Sequence, residues 1–430
     1  MLFELHAVER LDNSKKVILY YDNYKNYFTK EKPLEFIDKA QEFKHPLKKS
    51  VVNEDTSLIK IMLGYACNYT CDYCFQKHLK IEKRSKEELD NLIAVLKNSI
   101  TVDTMVQFWG GEPLLYFEDI KYIVQNTSLA SFSIVTNGSL FTDEIIDFFI
   151  KYNFSIGISH DGPGQDVRSK TDFLNSPKHL RLIDRLKQNN IGFSFNSTLS
   201  GENFNKGDIV EYFQQKTKYE DVRIGEGMFV RCGSKEIYNS MKLKDTSDID
   251  YRLQFINDFT KEDTVDRYNQ VIGKLHKFID SSSSESISEI NPCNACSSKT
   301  MIVDTKLNLF SCQNFGNTAA IGKLTKDGPI ESRVPSSSYR DINPKCQKCP
   351  VIHICGMGCP LSSDEELELN CSMYFNESVS LFFQAIKDKY DCILYKINSL
   401  EAEEEEAEDN VYILGELSHK MELFCQKTSS

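Results

Sequence analysis

Ile59-Lys60-Ile61-Met62-Leu63 runs through Gly64-Tyr65-Ala66 into Cys67-Asn68-Tyr69-Thr70-Cys71-Asp72-Tyr73-Cys74. An apolar strand therefore delivers three thiols within one short loop, separated by three and then two residues. That spacing can wrap three corners of a cubane four-iron, four-sulfur cluster. No fourth cysteine lies nearby, so the fourth iron would stay open to an outside ligand. A structural zinc knuckle is the alternative. Zinc sites usually close with four ligands, often from two CxxC-type pairs, and three thiols without a local His fit that poorly.

The strand opens a rhythm. Ser85 and Glu88 form a capping box, and Leu89, Leu92, Ile93, Leu96 and Ile100 make one apolar helical stripe. Met105 to Trp109 reads as a second strand, ending in Gly110-Gly111-Glu112-Pro113, with a helix expected around Phe117 to Gln125. Phe132 to Val135 is a third strand, ending in Thr136-Asn137-Gly138, and Thr142 can cap a helix running to Lys151. Phe154 to Ile158 is a fourth, ending in Ser159-His160-Asp161-Gly162-Pro163, and Ser176-Pro177 opens the next helix. Gly192 to Leu199 and Val222 to Val230 are the fifth and sixth strands, with helices to about Asp280. Strands alternating with helices imply a parallel sheet. Six units fall short of a complete eight-unit barrel, so the expected fold class is α/β, a partial (β/α)6 TIM-like barrel. The polar and glycine-bearing motifs all follow strand C-termini, where such barrels build active sites.

Before the barrel, residues 1–57 form an N-terminal extension with a strand at Val17 to Tyr21 and a short helix near Leu34 to Phe43. This extension covers one end of the barrel or docks a peptide. Ser281 to Ser284 reads as a linker between the barrel, 58–280, and a cysteine-rich domain, 286–375. A helical pattern with Val379, Phe382, Phe383, Ile386, Tyr390, Ile393 and Ile397 on one face spans Asn376 to Asn398. Val411 to Cys425 reads as a last amphipathic helix, which makes 376–430 a helical region. Glu403 to Glu406 is solvated surface.

With 51 basic against 63 acidic residues and no Lys/Arg-rich block, nucleic acid is not an expected partner. No apolar run of about 18 residues suggests a membrane span. Met1 to His6 lacks the basic region and long apolar run of a signal peptide. A cytoplasmic location is expected, and in that reducing compartment the 14 cysteines read as metal ligands rather than disulfides.

The three-cysteine loop, Gly110-Gly111-Glu112-Pro113 and the stretch from Ser159 to Arg168 together resemble the radical S-adenosylmethionine (SAM) superfamily. The later cysteines, Cys346-x2-Cys349-x5-Cys355-x3-Cys359 and then Cys371, resemble its SPASM auxiliary-cluster domain. The resemblance implies S-adenosylmethionine and three 4Fe-4S clusters as cofactors. Cys67, Cys71 and Cys74 would hold the open cluster. By the family's interleaved arrangement Cys346, Cys349, Cys355 and Cys371 would hold a distal cluster, and Cys293, Cys296, Cys312 and Cys359 a proximal one. Two zinc sites are the alternative for these thiols. Gly110 and Gly111 would let the backbone approach the methionine moiety, and Glu112 would add an acceptor and a negative charge. Tyr73 matches a position near the adenine. Ser159 and Arg168 resemble the hydroxyl and guanidinium that hold ribose and carboxylate. Asn137 and Asn196 end strands on the pocket side and are further candidates for contact with the cofactor. Cys232, Cys392 and Cys425 are left over as buried free thiols, and His353 is expected to pack rather than to ligate.

Relatives with such later cysteines mostly modify peptides or proteins. The resemblance implies a maturase of a ribosomally made peptide, forming a crosslink, a thioether or an epimer, and fed by a reductant such as flavodoxin or ferredoxin. Anaerobic sulfatase maturases, which oxidise Cys or Ser to formylglycine, are the second reading. They carry an Asp base directly after the second-region cysteine, where this chain has Gln313 after Cys312. A non-catalytic iron–sulfur electron carrier is the third reading, and it would need no Gly-Gly-Glu-Pro or Ser159/Arg168 pocket. No residue stands out as a catalytic acid or base.

Overall fold

The computed structural model describes residues 2–12, 14–22, 27–31, 56–76, 79, 84–99, 103–127, 131–201, 203, 206–229, 235–241, 272–273, 275–277, 279, 299–314, 320–331, 346, 349–355, 362–400 and 411–413. The chain forms two compact units, each discontinuous in sequence. One comprises 47–241 and 293–336; the other comprises 1–46, 242–292 and 337–430.

Among the described residues, six strands of the first unit alternate with helices as the hydrophobic rhythm requires. They are β1 (Leu58–Met62), β2 (Met105–Trp109), β3 (Ser131–Thr136), β4 (Ser155–Ser159), β5 (Phe193–Leu199) and β6 (Ile224–Phe229). Between and after them come α1 (Lys86–Ser99), α2 (Phe117–Asn126), α3 (Asp143–Lys151), α4 (Pro177–Gln188), α5 (Lys206–Thr217) and α6 (Lys235–Met241). All six strands are parallel and neighbours in chain order. This is the open (β/α)6 arrangement of a partial barrel. Helix starts follow their caps: Ser85 and Glu88 exchange bonds of 3.0 and 3.2 Å before α1, and Thr142 accepts from Ile145 N before α3.

Strand alternation separates two faces. Val106, Phe108, Phe132, Ile134, Ile156 and Ile158 are buried. Phe108, Phe132 and Phe154 stack with centroids 5.6–6.4 Å apart, and Phe149 of α3 packs on Phe154. The alternate positions include the polar Gln107, Ser133, Ser159, Ser194 and Asn196, together with Trp109, Val135 and Gly157. Gln107 Oε1 and Ser133 Oγ are buried without a partner among the described residues. That second face is chemically suited to a polar ligand, unlike the side-chain-filled interior of a complete barrel.

The sheet also continues beyond β1, which the alternating rhythm gave no reason to expect. β7 (Thr300–Asp304) pairs in parallel with β1, and β8 (Asn308–Phe310), β9 (Ala320–Thr325) and β10 (Gly328–Glu331) follow antiparallel. Part of the expected cysteine-rich domain thus extends the barrel sheet, and Cys312 lies just past β8.

In the second unit, strands Leu2–Glu9, Lys16–Asp22, Tyr27–Thr29, Cys392–Ser399 and Val411–Ile413 form one antiparallel sheet. The expected strand at Val17 to Tyr21 is present. The helical reading of 376–430 is corrected. The long helix runs Asp364–Tyr390, starts at a Ser363/Glu366 capping box and ends at Asp391, whose φ of 49° is left-handed. Asp tolerates that conformation better than most residues. Ile393 and Ile397 keep the helical spacing by coincidence. Cys392, Ile393, Leu394 and Ile397 are instead buried in a strand whose partner, Leu2–Glu9, lies at the other end of the chain. Val411–Ile413 is likewise strand. The expected helix near Leu34 to Phe43, the Ser281 to Ser284 linker and residues 414–425 lie outside the described residues. No described helix is long and apolar enough to cross a membrane.

Candidate active site at the strand ends

The chain leaving β1 runs directly against the chain leaving β2. Leu63 N donates to Trp109 O at 3.0 Å, Gly111 N to Gly64 O at 2.9 Å and Glu112 N to Ala66 O at 2.8 Å. The two glycines make this contact possible. Gly110 has φ +146°, and a Cβ there would lie 2.3 Å from Gly64 O; a Cβ on Gly111 would lie 2.3 Å from Ala66 O. Within the protein their evident task is to let two backbones touch just before the first cysteine.

Glu112 is fully buried. Its carboxylate accepts from Leu114 N at 3.0 Å, Thr136 Oγ1 at 2.6 Å and Asn137 N at 2.7 Å, joining the ends of β2 and β3. Burial pushes its carboxyl above the usual range, while these three donors pull it back. Asn137 is drawn into the cysteine loop. Its Nδ2 donates to Asn68 Oδ1 at 2.9 Å, its Oδ1 accepts from Ser139 Oγ at 2.6 Å, and Asn68 Nδ2 donates to Ser139 Oγ at 2.8 Å. Asn68 and Ser139 had no sequence signal beyond their place after a strand.

Tyr73 enters a second cluster. Its hydroxyl donates to Asp161 Oδ2 at 2.5 Å, and Arg168 Nη1 donates to that hydroxyl at 2.8 Å and lies 3.4 Å from Asp161 Oδ1. Asp72 N also donates to Val167 O at 3.0 Å. Arg168 therefore stands beside the cysteine loop, and its charge favours the thiolates of Cys67 and Cys71. Burial nevertheless pushes the Cys71 thiol up to about 11. A thiolate there needs a stronger cation than one guanidinium, as cluster iron would be, so the donor set fits an iron–sulfur group. Ser159 and Asn196 face each other across β4 and β5, with Asn196 lying over Gly157.

His160 anchors the segment that carries Asp161 and Arg168. Its Nδ1 accepts from Gly162 N at 3.0 Å, so Nε2 carries the proton and donates to Asp172 Oδ1 at 2.9 Å. Burial lowers the imidazole below its ordinary 6.5, and Asp172 only partly offsets this. Asp172 is pushed up by burial, but hydrogen bonds from His160 and Tyr212 hold it down to about 2. The unfolded chain takes up a proton as pH falls through about 6.5, whereas folded His160 takes it up only at lower pH. Stability is therefore lost as pH drops below that value, and the Asp172 contribution is lost only below about 3.8. The unfolding midpoint should fall more steeply from about pH 7 to pH 5 in the wild type than in His160→Gln, whose amide never charges. Parallel profiles would refute a neutral, buried His160.

Of the later cysteines, Cys312 is buried, and Gln313 is tied to the segment after Cys74 by Gln76 Nε2, which donates to Gln313 O at 2.7 Å. In the second unit, Cys346, Cys355 and Cys371 all lie within electrostatic reach of half-buried Cys349. Among the described residues, no three His, Cys, Asp or Glu converge as tightly as a single metal ion requires. A cubane spaces its thiolates wider than a lone zinc does. Cys392 is a buried free thiol. Cys293, Cys296, Cys359, Cys232 and Cys425 lie outside the described residues.

A partial barrel of six strands gathers a three-thiol loop, a Gly-Gly-Glu turn and Arg168 at its strand ends, a donor set suited to an iron–sulfur group. Residues 61–214 match the Radical SAM superfamily. That stretch, about a third of the chain, is the part that is similar to the family. It is 31% identical over 186 residues to the radical SAM cyclopropyl synthase TigE of Paramaledivibacter caminithermalis, covering 37% of this chain and 39% of that protein. It is 23% identical over 369 residues to a cysteine-type anaerobic sulfatase-maturating enzyme of Clostridium perfringens, covering 74% of this chain and 92% of that one. The solved structure of native anSMEcpe with bound AdoMet and Cp18Cys peptide aligns with a TM-score of 0.53 at 18% identity, covering 78% of this chain and 97% of that chain. At that identity the likeness is one of fold.

Proposed function

We propose that this chain is a radical SAM maturase that abstracts a hydrogen atom from a ribosomally made peptide or protein, on the way to a crosslink, thioether or epimerised residue. The observation that carries the reading is the packing of the Cys67–Cys74 loop onto Gly110, Gly111 and Glu112 beside part-buried Arg168. Cys67, Cys71 and Cys74 hold a 4Fe-4S cluster, and the strand-end residues hold S-adenosylmethionine. When bound, this pair supplies a carbon-centred radical able to remove hydrogen from an unactivated C–H bond. The protein's part is to bind, orient and exclude water. Arg168 offers a guanidinium edge to a carboxylate. Ser159 and Asn196 present polar atoms on the half-buried face of the sheet, and Tyr73 packs beside the loop. Cys346, Cys349, Cys355 and Cys371 hold an auxiliary cluster, and Cys312 belongs to another.

Sulfatase maturation is the second reading, favoured by the 92% coverage of the sulfatase-maturating relative. Gln313 speaks against it. Formylglycine formation needs a base for the substrate thiol or hydroxyl, and an amide has no titratable group at working pH. The reconstituted enzyme should cleave S-adenosylmethionine without converting a Cys-x-Pro-x-Arg peptide to formylglycine. It should change the mass of a peptide encoded beside its gene by about two hydrogens for a crosslink, or leave the mass unchanged for an epimer. Efficient formylglycine formation, read by mass spectrometry, would make sulfatase maturation the function.

A further inference from the structure

We propose that Asp161 is a positioning residue that aims Arg168 at the carboxylate of S-adenosylmethionine, an assignment that rests on the radical SAM reading. Asp161 is 1% exposed, and both carboxylate oxygens are committed. Oδ2 accepts from the Tyr73 hydroxyl, while Oδ1 accepts from Thr198 N of β5 at 2.8 Å and faces Arg168 Nη1. Its backbone is held too: Asp161 N donates to Gln165 Oε1 at 3.1 Å, and Asn203 Nδ2 donates to Asp161 O at 2.7 Å. The carboxylate is therefore a fixed point on the end of the sheet, reaching the cysteine loop through Tyr73 and the Arg168 segment directly.

Arg168 is held at one corner. Nη1 meets both the Tyr73 hydroxyl and Asp161, whereas Nε is buried with no partner among the described residues. A buried N–H without an acceptor is costly. A guanidinium fixed through Nη1 keeps its Nε edge in one orientation, and a carboxylate is the acceptor that edge suits. Arginine is rich in rotamers, and fixing the side chain beforehand reduces what binding must supply. Asp161 also supplies the negative charge that lets a guanidinium be buried there at all.

A mere staple would hold the fold without affecting cofactor affinity once the protein is folded. Affinity for S-adenosylmethionine should be measured by anaerobic titration calorimetry on the iron-reconstituted full chain, with iron content and thermal midpoint recorded alongside. Asp161→Asn keeps the shape and removes the charge. It should weaken binding about tenfold, and Arg168→Lys should cost clearly less in the Asp161→Asn background than in the wild type. Unchanged affinity, or independent effects of the two substitutions, would overturn the proposal. Should Asp161→Asn fail to fold, Tyr73→Phe removes only the bridging hydroxyl. It should weaken binding several-fold, and wild-type affinity there would equally overturn it. A wild-type protein that binds no S-adenosylmethionine would refute the functional reading itself, and this assignment with it.

Discussion

Cys71→Ala should reduce release of 5′-deoxyadenosine to background and lower the iron bound by the reconstituted protein by about four atoms, out of about twelve expected for three clusters. Among the three loop cysteines Cys71 is the buried one, whereas Cys67 is exposed and Cys74 half-buried. Burial also opposes its thiolate, pushing the thiol up to about 11. The loop is fastened on both flanks, by Asn68 to Asn137 and Ser139 and by Tyr73 to Asp161. Removing one sulfur should therefore leave the barrel standing and delete only the cluster. Cys349→Ala is the contrast. Cys349 sits among Cys346, Cys355 and Cys371 in the other unit. It should spare part of the cleavage while losing modified peptide. Substantial cleavage by Cys71→Ala would remove the open cluster from this loop. Product at the wild-type rate from Cys349→Ala would remove the distal cluster from the reaction. Because metal binding and folding are coupled, circular dichroism of each variant must accompany the iron assay.

The barrel was legible because its signal is local. Each strand is a short apolar run ending in a polar or glycine-bearing turn, and each helix carries its own cap or stripe. The cysteine loop was legible for the same reason, since three thiols with fixed spacing carry their chemistry in the sequence. What the sequence hid was pairing between distant segments. Nothing near Thr300 announces that it will sit opposite Leu58, and nothing near Cys392 announces Leu2–Glu9 as its partner. Without those partners, Ile393 and Ile397 fit a helix as well as a strand. The site shows the same division. Glu112 and Asn137 could be named as pocket-side residues. That Glu112 ties two strand ends, and that Asn137 and Ser139 both engage Asn68, depends on contacts 24 to 71 residues apart. Asp161 sits in the Ser159 to Pro163 turn, yet its weight becomes visible only once Tyr73, Thr198 and Arg168 converge on it.

Gly111→Ala should destabilise the protein by on the order of 3 kcal/mol and abolish iron incorporation at the Cys67–Cys74 loop in the fraction that still folds. The new methyl group would lie 2.3 Å from Ala66 O and 2.6 Å from Tyr65 O. Both are backbone oxygens on the segment feeding the first cysteine, so no side chain can swing aside to relieve the overlap. Relief requires the two strand exits to separate. That would sever the bonds from Gly111 N to Gly64 O and from Glu112 N to Ala66 O, which align the loop with β2. Separation would also pull on Glu112, whose carboxylate joins that turn to Thr136 and Asn137, so the damage would spread to the β3 end of the site. Gly192→Ala supplies the internal control. A Cβ there meets nothing within 4 Å and its φ is not in the left-handed region, so the substitution should be neutral or raise stability by up to about 1 kcal/mol. Denaturant unfolding of the two variants, with iron counted on each, tests the contact directly. Wild-type stability and iron content in Gly111→Ala would mean that the two backbones do not touch there, and that the glycines serve the cofactor alone.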